Sequence, residues 1–293
     1  MDALSGQILF EFFEPFFIVG MKMKRISFSA YLILLFGLLV NTATAQSGQQ
    51  DDGSQTKMET KSATIEKLTF ESKDGLAITA DLYMAHQSKD TPFIVLCHQA
   101  GWSRGEYREV APKLNELGFN CLAIDQRSGD KVNSVMNETA KAAKAASKGV
   151  QYVDAEQDMV AAIEFAKKNY AKKKLILWGS SYSSALAIRI AGEHADKIDA
   201  ALAFSPGEYF GRQGKPSDWI QQSAKKIKDP VFITSAKNES NKWSSIANAI
   251  PTESLKKFVP KTKGNHGSRA LWKKFNDNGA YWTAVKTFLE EVK

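Results

Sequence analysis

Short apolar segments that suit β-strands alternate with longer amphipathic segments that suit α-helices along most of this sequence. The clearest apolar segment is Phe93–Cys97, which contains no polar residue and therefore suits a strand that is buried on both faces of a sheet. A strand that is followed by a helix and a further strand usually lies parallel to that next strand. The alternation therefore predicts an α/β fold, in which a mostly parallel sheet has helices on both faces.

The positions of the predicted elements follow from the period of the apolar residues. Two strands at residues 64–71 and 76–83 flank Asp74–Gly75, a dipeptide typical of hairpin turns. The alanine-rich part of residues 131–152 favours a further helix, either beside the pocket or on the surface. The remaining strands are expected at residues 93–97, 120–125, 174–178, 199–204, 231–235 and 255–259, and the remaining helices at about 105–117, 154–170, 182–192 and 280–292.

The first 45 residues are predicted to be an N-terminal extension plus a signal peptide. Met21–Arg25 carries three positive charges, Ile26–Val40 is mostly apolar, and small residues stand at Ala43 and Ala45. The apolar run is shorter than the roughly 20 residues that span a bilayer. We therefore expect cleavage after Ala45, no stable membrane anchor afterwards, and a secreted or periplasmic protein. Residues 46–63 are predicted to be a disordered tether, and residues 64–293 to form one α/β domain.

Composition excludes several classes of protein. The chain has two cysteines, Cys97 and Cys121, which is too few for a disulfide scaffold or a cysteine-based zinc module. Both should be buried free thiols, because they fall near opposite ends of adjacent parallel strands. The net charge of +7 is spread along the chain without a nucleic-acid-binding motif, so nucleic acid is not an expected partner. No metal-ligand or nucleotide-loop motif occurs, and no cofactor or metal is expected.

A serine-rich segment lies between a predicted strand and a predicted helix. In Leu177–Ala185, the residues Gly179, Ser181 and Ser183 match the pattern G-x-S-x-G, with serine in the last glycine position. A nucleophilic serine on such a turn has a strained backbone, so the residues two positions away must be small. Ser181 is therefore the predicted nucleophile.

Two backbone N–H groups that point at the same place can stabilise the oxyanion of an acyl-transfer reaction. Tyr182, directly after the predicted nucleophile, should supply one of them. The loop after strand 93–97 should supply the other, with Ala100 favoured and Gln99 as second choice. His98 in the same loop is interpreted as a structural residue that fixes the loop by hydrogen bonds.

The general base and its acidic partner should follow later strands. Of the four histidines, only His266 lies in a glycine-bounded loop, Gly264–Gly267, after the last predicted strand. A third group should orient its imidazole. Glu239, in the loop after strand 231–235, is the favoured acid, whereas Glu208 and a neutral Asn238 remain alternatives.

The order of Ser181, an acid and His266, with His98–Gly101 upstream, resembles that of the α/β-hydrolase superfamily. Because it leaves no room for a large cap, the sequence is similar to dienelactone-hydrolase-like enzymes and to small serine esterases or peptidases within this superfamily. The resemblance covers about residues 65–293 and implies an eight-stranded sheet and hydrolysis through an acyl-enzyme without a cofactor. Asp125–Gly129 resembles the D-x-R-x-G turn of the superfamily, which implies a structural role.

The predicted function is that of a secreted or periplasmic serine hydrolase with a Ser-His-acid triad. Its substrate should be a small molecule with an ester, thioester or amide bond, and a carboxylic ester is favoured over a peptide. The alternative is a non-catalytic ligand-binding protein with the same fold. Two departures from the superfamily pattern suggest it: Gln99 stands where glycine is usual, and Asn238 stands at the expected place of the acid.

Overall fold

A computed structural model of the chain describes residues 64–293. The predicted signal peptide, its cleavage site and the tether lie outside the described residues. Apolar residues form most of the strands in the centre of the sheet. In chain order the strands are β1 (Thr64–Glu71), β2 (Ala77–Met84), β3 (Phe93–Cys97), β4 (Asn120–Ile124), β5 (Lys131–Val132), β6 (Val135–Met136), β7 (Leu175–Ser180), β8 (Ala200–Phe204), β9 (Val231–Thr234) and β10 (Leu255–Phe258).

Helices occupy most of the connections between these strands. None of those in residues 64–293 is long and apolar enough to cross a lipid bilayer. In chain order they are α1 (Val110–Glu116), α2 (Glu138–Ala145), α3 (Glu156–Asn169), α4 (Tyr182–Glu193), α5 (Trp219–Ala224), α6 (Ser244–Ala249) and α7 (Asn278–Val292).

Eight strands form one sheet in the order β1-β2-β4-β3-β7-β8-β9-β10. Strand β2 is antiparallel to both of its neighbours, whereas every pair from β4 to β10 is parallel. The predicted mostly parallel sheet of eight strands is confirmed. Strands β5 and β6 form a separate two-stranded hairpin.

The position of β3 inside the sheet explains why its sequence is apolar throughout. All five of its side chains are buried, and they alternate between two hydrophobic clusters on the two faces of the sheet. Val95 and Cys97 join one cluster with Ile163 of α3 and Leu186 of α4. Leu96 faces the other cluster, which α1 and α7 cover. A strand covered on both faces has no solvated side, so no polar alternation is present.

The two cysteines are buried and free, as the sequence predicts. In the parallel pair of β3 and β4, Cys97 is level with Ile124 and Cys121 is level with Ile94. They also belong to different clusters, so their side chains lie on opposite faces of the sheet.

Two elements differ from the sequence prediction. The helix expected at about 105–117 is divided into a 3-10 turn, Arg104–Tyr107, and the shorter helix α1. Pro112 explains the later start, because proline is tolerated in the first turn of a helix but not further inside. The hairpin of β5 and β6 was not predicted. Its turn residues Asn133 and Ser134 both have positive φ, 48° and 64°, as a two-residue hairpin turn requires.

The turn after β4 has the structural role that the resemblance implies. The guanidinium of Arg127 is buried and contacts the buried carboxylate of Asp158 at 2.7 Å and that of Asp74 at 2.9 Å. These ion pairs join the turn to α3 and to the hairpin of β1 and β2.

Arg127→Met is expected to lower the free energy of unfolding by about 3–5 kcal/mol, because it leaves the buried Asp158 carboxylate without a positively charged partner. Urea denaturation measures this change. The matched control is Lys197→Met, which breaks a more exposed ion pair with Glu164 and should cost at most about 1 kcal/mol. Equal losses in the two variants would contradict a structural role for the Arg127 cluster.

Candidate active site

A single residue, Ser181, connects the end of β7 to the start of α4. Its backbone has φ 58° and ψ −122°, a region that residues with a side chain rarely adopt. A Cβ atom on Gly179 would collide with the backbone of Ser183 and Ser184. The predicted need for a small residue at that position therefore has a direct steric cause.

Hydrogen bonds hold this turn against its strain. The N–H of Ser181 donates to the carbonyl of Phe204 at 2.7 Å, which joins the turn to β8. The hydroxyl of Ser183 accepts from the N–H of Ser180 at 2.8 Å and donates to the carbonyl of Cys97 at 2.8 Å. Serine in the usual glycine position thus adds a connection between the turn and β3. Ser181 retains 8% of its surface exposed.

Of the two backbone N–H groups considered in the loop after β3, those of Gln99 and Ala100, one is free to bind an oxyanion. The N–H of Gln99 donates to a carboxylate oxygen of Glu106 at 2.8 Å, so it is already engaged. Within residues 64–293, the N–H groups of Ala100 and Tyr182 have no protein acceptor. These two are the donors that the sequence favours for an oxyanion.

His98 is fully buried and fixes the loop after β3 by hydrogen bonds, as the sequence predicts. Its Nδ1 donates to the carbonyl of Gln99 at 2.8 Å, and its Nε2 accepts from the N–H of Gln126 at 3.0 Å. Burial lowers the pKa of His98 to about 4, so the ring is neutral near pH 7.

His266 lies in the loop after β10, where its Nδ1 donates to Oε1 of Glu239 at 2.7 Å. The hydroxyl of Ser205 donates to the other carboxylate oxygen at 2.8 Å and accepts from the N–H of Gly267 at 2.9 Å. Burial favours the neutral acid, but the hydrogen bond and charge of His266 outweigh it and lower the pKa of Glu239. The result is an ionised carboxylate that orients the imidazole.

The loop of His266 packs directly against the turn of Ser181. The N–H of Ser268 donates to the hydroxyl of Ser180 at 2.9 Å, and a Cβ on Gly267 would collide with that hydroxyl and with the Gln99 side chain. The Ser181 hydroxyl is not hydrogen-bonded to His266 in this structure. Such bonds often form only when substrate is bound.

The alternative acids occupy other places. The carboxylate of Glu208 accepts from the N–H groups of Ile220 and Gln221, both at 2.9 Å, and so caps the start of α5. The side chain of Asn238 is exposed. Of the three candidates, only Glu239 contacts His266.

Two residues near this site were not predicted from the sequence. The carboxylate of Glu106 is fully buried and accepts from the hydroxyl of Ser180 at 2.7 Å, in addition to its bond with Gln99. Ser205 has φ 59° and connects Glu239 to the His266 loop. A polar residue at the carboxyl end of β8 was a signal for Ser205, because such ends line the sites of parallel sheets. Glu106 lies in a polar stretch and carried no comparable signal.

A cleft in the described part of the chain lies away from this site, between the end of β1 and α3. Phe70, Val160 and Phe165 form its apolar lining, and Lys168 and His194 lie at its edge. None of the predicted site residues lines it. Residues 64–293 also contain no cluster of three metal-ligating side chains.

The sheet order, the strained serine after β7 and the histidine after the last strand define an α/β hydrolase. Residues 88–249, more than half of the chain, match the model of a family described as serine aminopeptidase, S33. The chain belongs to this family, and it is a serine hydrolase. The superfamily resemblance is thereby confirmed.

Solved structures share this fold at low sequence identity. An esterase from Pyrococcus furiosus is 18% identical with a TM-score of 0.60, and the match covers 79% of this chain and 93% of that one. For a dienelactone hydrolase from Anabaena variabilis these values are 14%, 0.61, 79% and 99%. For a thermostable carboxyl esterase from Bacillus coagulans they are 14%, 0.59, 78% and 98%. No curated protein matches the sequence significantly.

Proposed function

We propose that this serine hydrolase cleaves carboxylic esters of small molecules with Ser181 as nucleophile, His266 as general base and Glu239 as the acid. The observation that carries the proposal is the 2.7 Å contact between His266 and Glu239, in a loop that packs against the strained turn of Ser181. Ala100 and Tyr182 are the proposed oxyanion donors.

In the proposed mechanism, the Ser181 hydroxyl oxygen attacks the ester carbonyl carbon while Nε2 of His266 takes the hydroxyl proton. The N–H groups of Ala100 and Tyr182 stabilise the negative charge on the carbonyl oxygen. The carbon–oxygen bond to the leaving group then breaks, and His266 returns the proton to the departing alcohol. Water attacks the acyl-enzyme with His266 again as base, which releases the carboxylic acid and restores Ser181.

An ester is favoured over an aminopeptidase substrate because of the charges near Ser181. An aminopeptidase needs an anionic group for the substrate ammonium, but Glu239 is paired with His266 and Glu208 caps α5. The side chain of Arg269 lies on the His266 loop and would repel an ammonium group. The structural neighbours that are esterases support the same choice.

The small size of the substrate follows from the segment between β8 and β9. It contains only a 3-10 turn, Gly211–Gln213, and the six-residue helix α5, so this segment forms no large cap over the sheet edge. The export signal that the sequence predicts at residues 21–45 supports our proposal of a secreted or periplasmic location. N-terminal sequencing of the mature protein should begin at Gln46, and retention of Met21 would contradict export by cleavage.

The proposal is tested with chromogenic esters of different acyl length and with aminoacyl p-nitroanilides, each assayed with the wild type and Ser181→Ala. We expect hydrolysis of at least the short-chain esters, which the variant loses. Exclusive cleavage of the anilides would replace the ester proposal by an aminopeptidase. Activity towards neither set, with tight ligand binding retained, would favour the binding-protein alternative.

Ser205→Ala is expected to lower kcat about tenfold, because it removes a hydrogen bond to the ionised Glu239. Steady-state kinetics with a short-chain ester measures the change. Ser240→Ala is the matched control, since the Ser240 hydroxyl bonds only to the carbonyl of Lys237 on the same turn as Glu239. An unchanged kcat in Ser205→Ala would show that the bridging hydroxyl does not support the acid.

A further inference from the structure

Glu106 is a fully buried carboxylate that no basic side chain pairs with in the described part of the chain. Each of its oxygens accepts one hydrogen bond: Oε1 from the hydroxyl of Ser180 at 2.7 Å and Oε2 from the N–H of Gln99 at 2.8 Å. The first partner directly precedes Ser181, and the second directly precedes Ala100. Glu106 therefore connects the two segments that carry the proposed oxyanion donors.

The bond with Glu106 restrains Gln99, the residue whose carbonyl shares a peptide group with the N–H of Ala100. That peptide group comprises the carbonyl of Gln99 and the N–H of Ala100, which point in opposite directions because the group is planar and trans. His98 Nδ1 holds the carbonyl at 2.8 Å, and Glu106 holds Gln99 from its own N–H. Gln99 is thus restrained on both sides, which sets the direction of the Ala100 N–H.

The bond to Ser180 extends the connection to the loop of His266. The Ser180 hydroxyl donates to Glu106 and accepts from the N–H of Ser268 at 2.9 Å. One carboxylate therefore holds together the loop after β3, the turn of Ser181 and the loop after β10. Fixed donor positions are what makes an oxyanion hole effective, because the donors need no reorganisation during the reaction.

We propose that ionised Glu106 is a positioning residue that sets the Ala100 N–H and the Ser181 turn in the geometry needed to stabilise the oxyanion. The inference rests on the proposed function and deepens it. Glu106 itself touches neither substrate nor the reacting atoms. Its acceptor-only carboxylate suits two donors at once, whereas a protonated carboxyl group has to find an acceptor for its own proton.

Titration of Glu106 gives this role a pH signature. Burial raises the pKa of Glu106 to about 7, although the hydrogen bonds from Ser180 and Gln99 and the charge of Arg269 oppose the shift. The neighbouring Tyr107 phenol stays neutral in this range, because burial raises its pKa further. Below about pH 7 the carboxyl group takes up a proton and weakens its two bonds, so activity should fall.

The raised pKa also separates a positioning role from a stabilising one. Below pH 7 the folded chain holds a proton on Glu106 that an unfolded chain holds only at lower pH. The contribution of Glu106 to the free energy of unfolding therefore decreases as pH rises towards 7. An ionised carboxylate at this position costs stability, so its removal by Glu106→Gln should affect catalysis more than folding.

The test compares Glu106→Gln with Glu109→Gln. The second variant is the matched control, because Glu109 is an exposed glutamate three residues away. We expect Glu106→Gln to lower kcat about 10–100-fold with KM within threefold, because donors that are displaced lose transition-state stabilisation. The affinity for a trifluoromethyl ketone, whose adduct with Ser181 carries an oxyanion, should fall in parallel. Glu109→Gln should resemble the wild type.

The pH profile gives the second readout. Because Glu106 is required in its ionised form, the acidic limb of log kcat/KM against pH should be steeper in the wild type than in Glu106→Gln. If that variant does not fold, Ser180→Ala is used instead; removing a bond to the ionised form should move the acidic limb to higher pH.

The possible outcomes distinguish a failure of the Glu106 inference from a failure of the proposed function. An active, Ser181-dependent wild type with unchanged kcat, ketone affinity and acidic slope in Glu106→Gln would overturn the inference alone. A wild type with no Ser181-dependent hydrolysis would overturn the proposed function and this inference with it. A loss of thermal stability in Glu106→Gln with catalysis unchanged would assign Glu106 a purely structural role.

Discussion

Replacing Ser181 by alanine is expected to lower kcat for ester hydrolysis by about 10⁵-fold, which leaves only the rate that substrate binding and the oxyanion donors provide. The reason is chemical, because alanine has no hydroxyl to form the acyl-enzyme. The backbone of Ser181 is held by its N–H and carbonyl, so the fold and thermal stability should be retained.

Ser184→Ala is the matched control for this variant. The Ser184 hydroxyl donates to the carbonyl of Ser181 at 2.6 Å and stands one helical turn away from the reacting atom. Its removal should change kcat by less than about fivefold, because a neutral hydrogen bond contributes about 1 kcal/mol. If Ser181→Ala kept more than a few percent of the wild-type kcat, the hydrolysis would use another nucleophile.

The second large effect is expected for Glu239→Gln, which should lower kcat by about 10²–10⁴-fold. An amide at this position no longer stabilises the imidazolium of His266, and its NH₂ group favours the wrong tautomer of the ring. The charge on Glu239 that the His266 contact maintains is therefore lost at every pH.

Glu208→Gln provides the comparison, because both glutamates follow neighbouring parallel strands. Glu208 accepts two N–H groups at the start of α5, so its replacement should lower the melting temperature while kcat stays within about threefold. The reverse pattern, a low kcat in Glu208→Gln and a normal one in Glu239→Gln, would assign the acid to Glu208.

The sequence predicted the central sheet well because its strands are continuous apolar runs. β1 and β3 have the predicted bounds, since a turn dipeptide and polar residues delimit them. Helix α1 begins later than predicted, because Pro112 is tolerated only in the first turn of a helix. The hairpin of β5 and β6 was missed, since its strands are only two residues long.

Only those site residues that stand in a recognisable local sequence pattern were predicted unambiguously. Ser181 and His266 stand in glycine- and serine-rich turns that identify them. The choice between Glu239 and Glu208 stayed open, because both follow strand ends and only the three-dimensional course of their loops separates them. Glu106 could not be found from its sequence context, since its burial depends on the 3-10 turn that directs it between β3 and β7.

The structure also accounts for Gln99, which replaces the usual glycine. The side chain of Gln99 packs against Gly267, where any side chain would collide with its Oε1. The positive φ of Gly267, 70°, makes glycine suitable there as well. A small residue in the histidine loop thus makes room for a larger one in the loop after β3.

The most direct test of the account is the reaction of the protein with a fluorophosphonate, followed by intact mass and peptide mapping. We expect one covalent adduct, on Ser181, and none in Ser181→Ala. We also expect much slower labelling in His266→Ala, because the hydroxyl then has no base. A protein that takes up no adduct, or one that is modified at another residue, would contradict the assignment of Ser181 as the nucleophile.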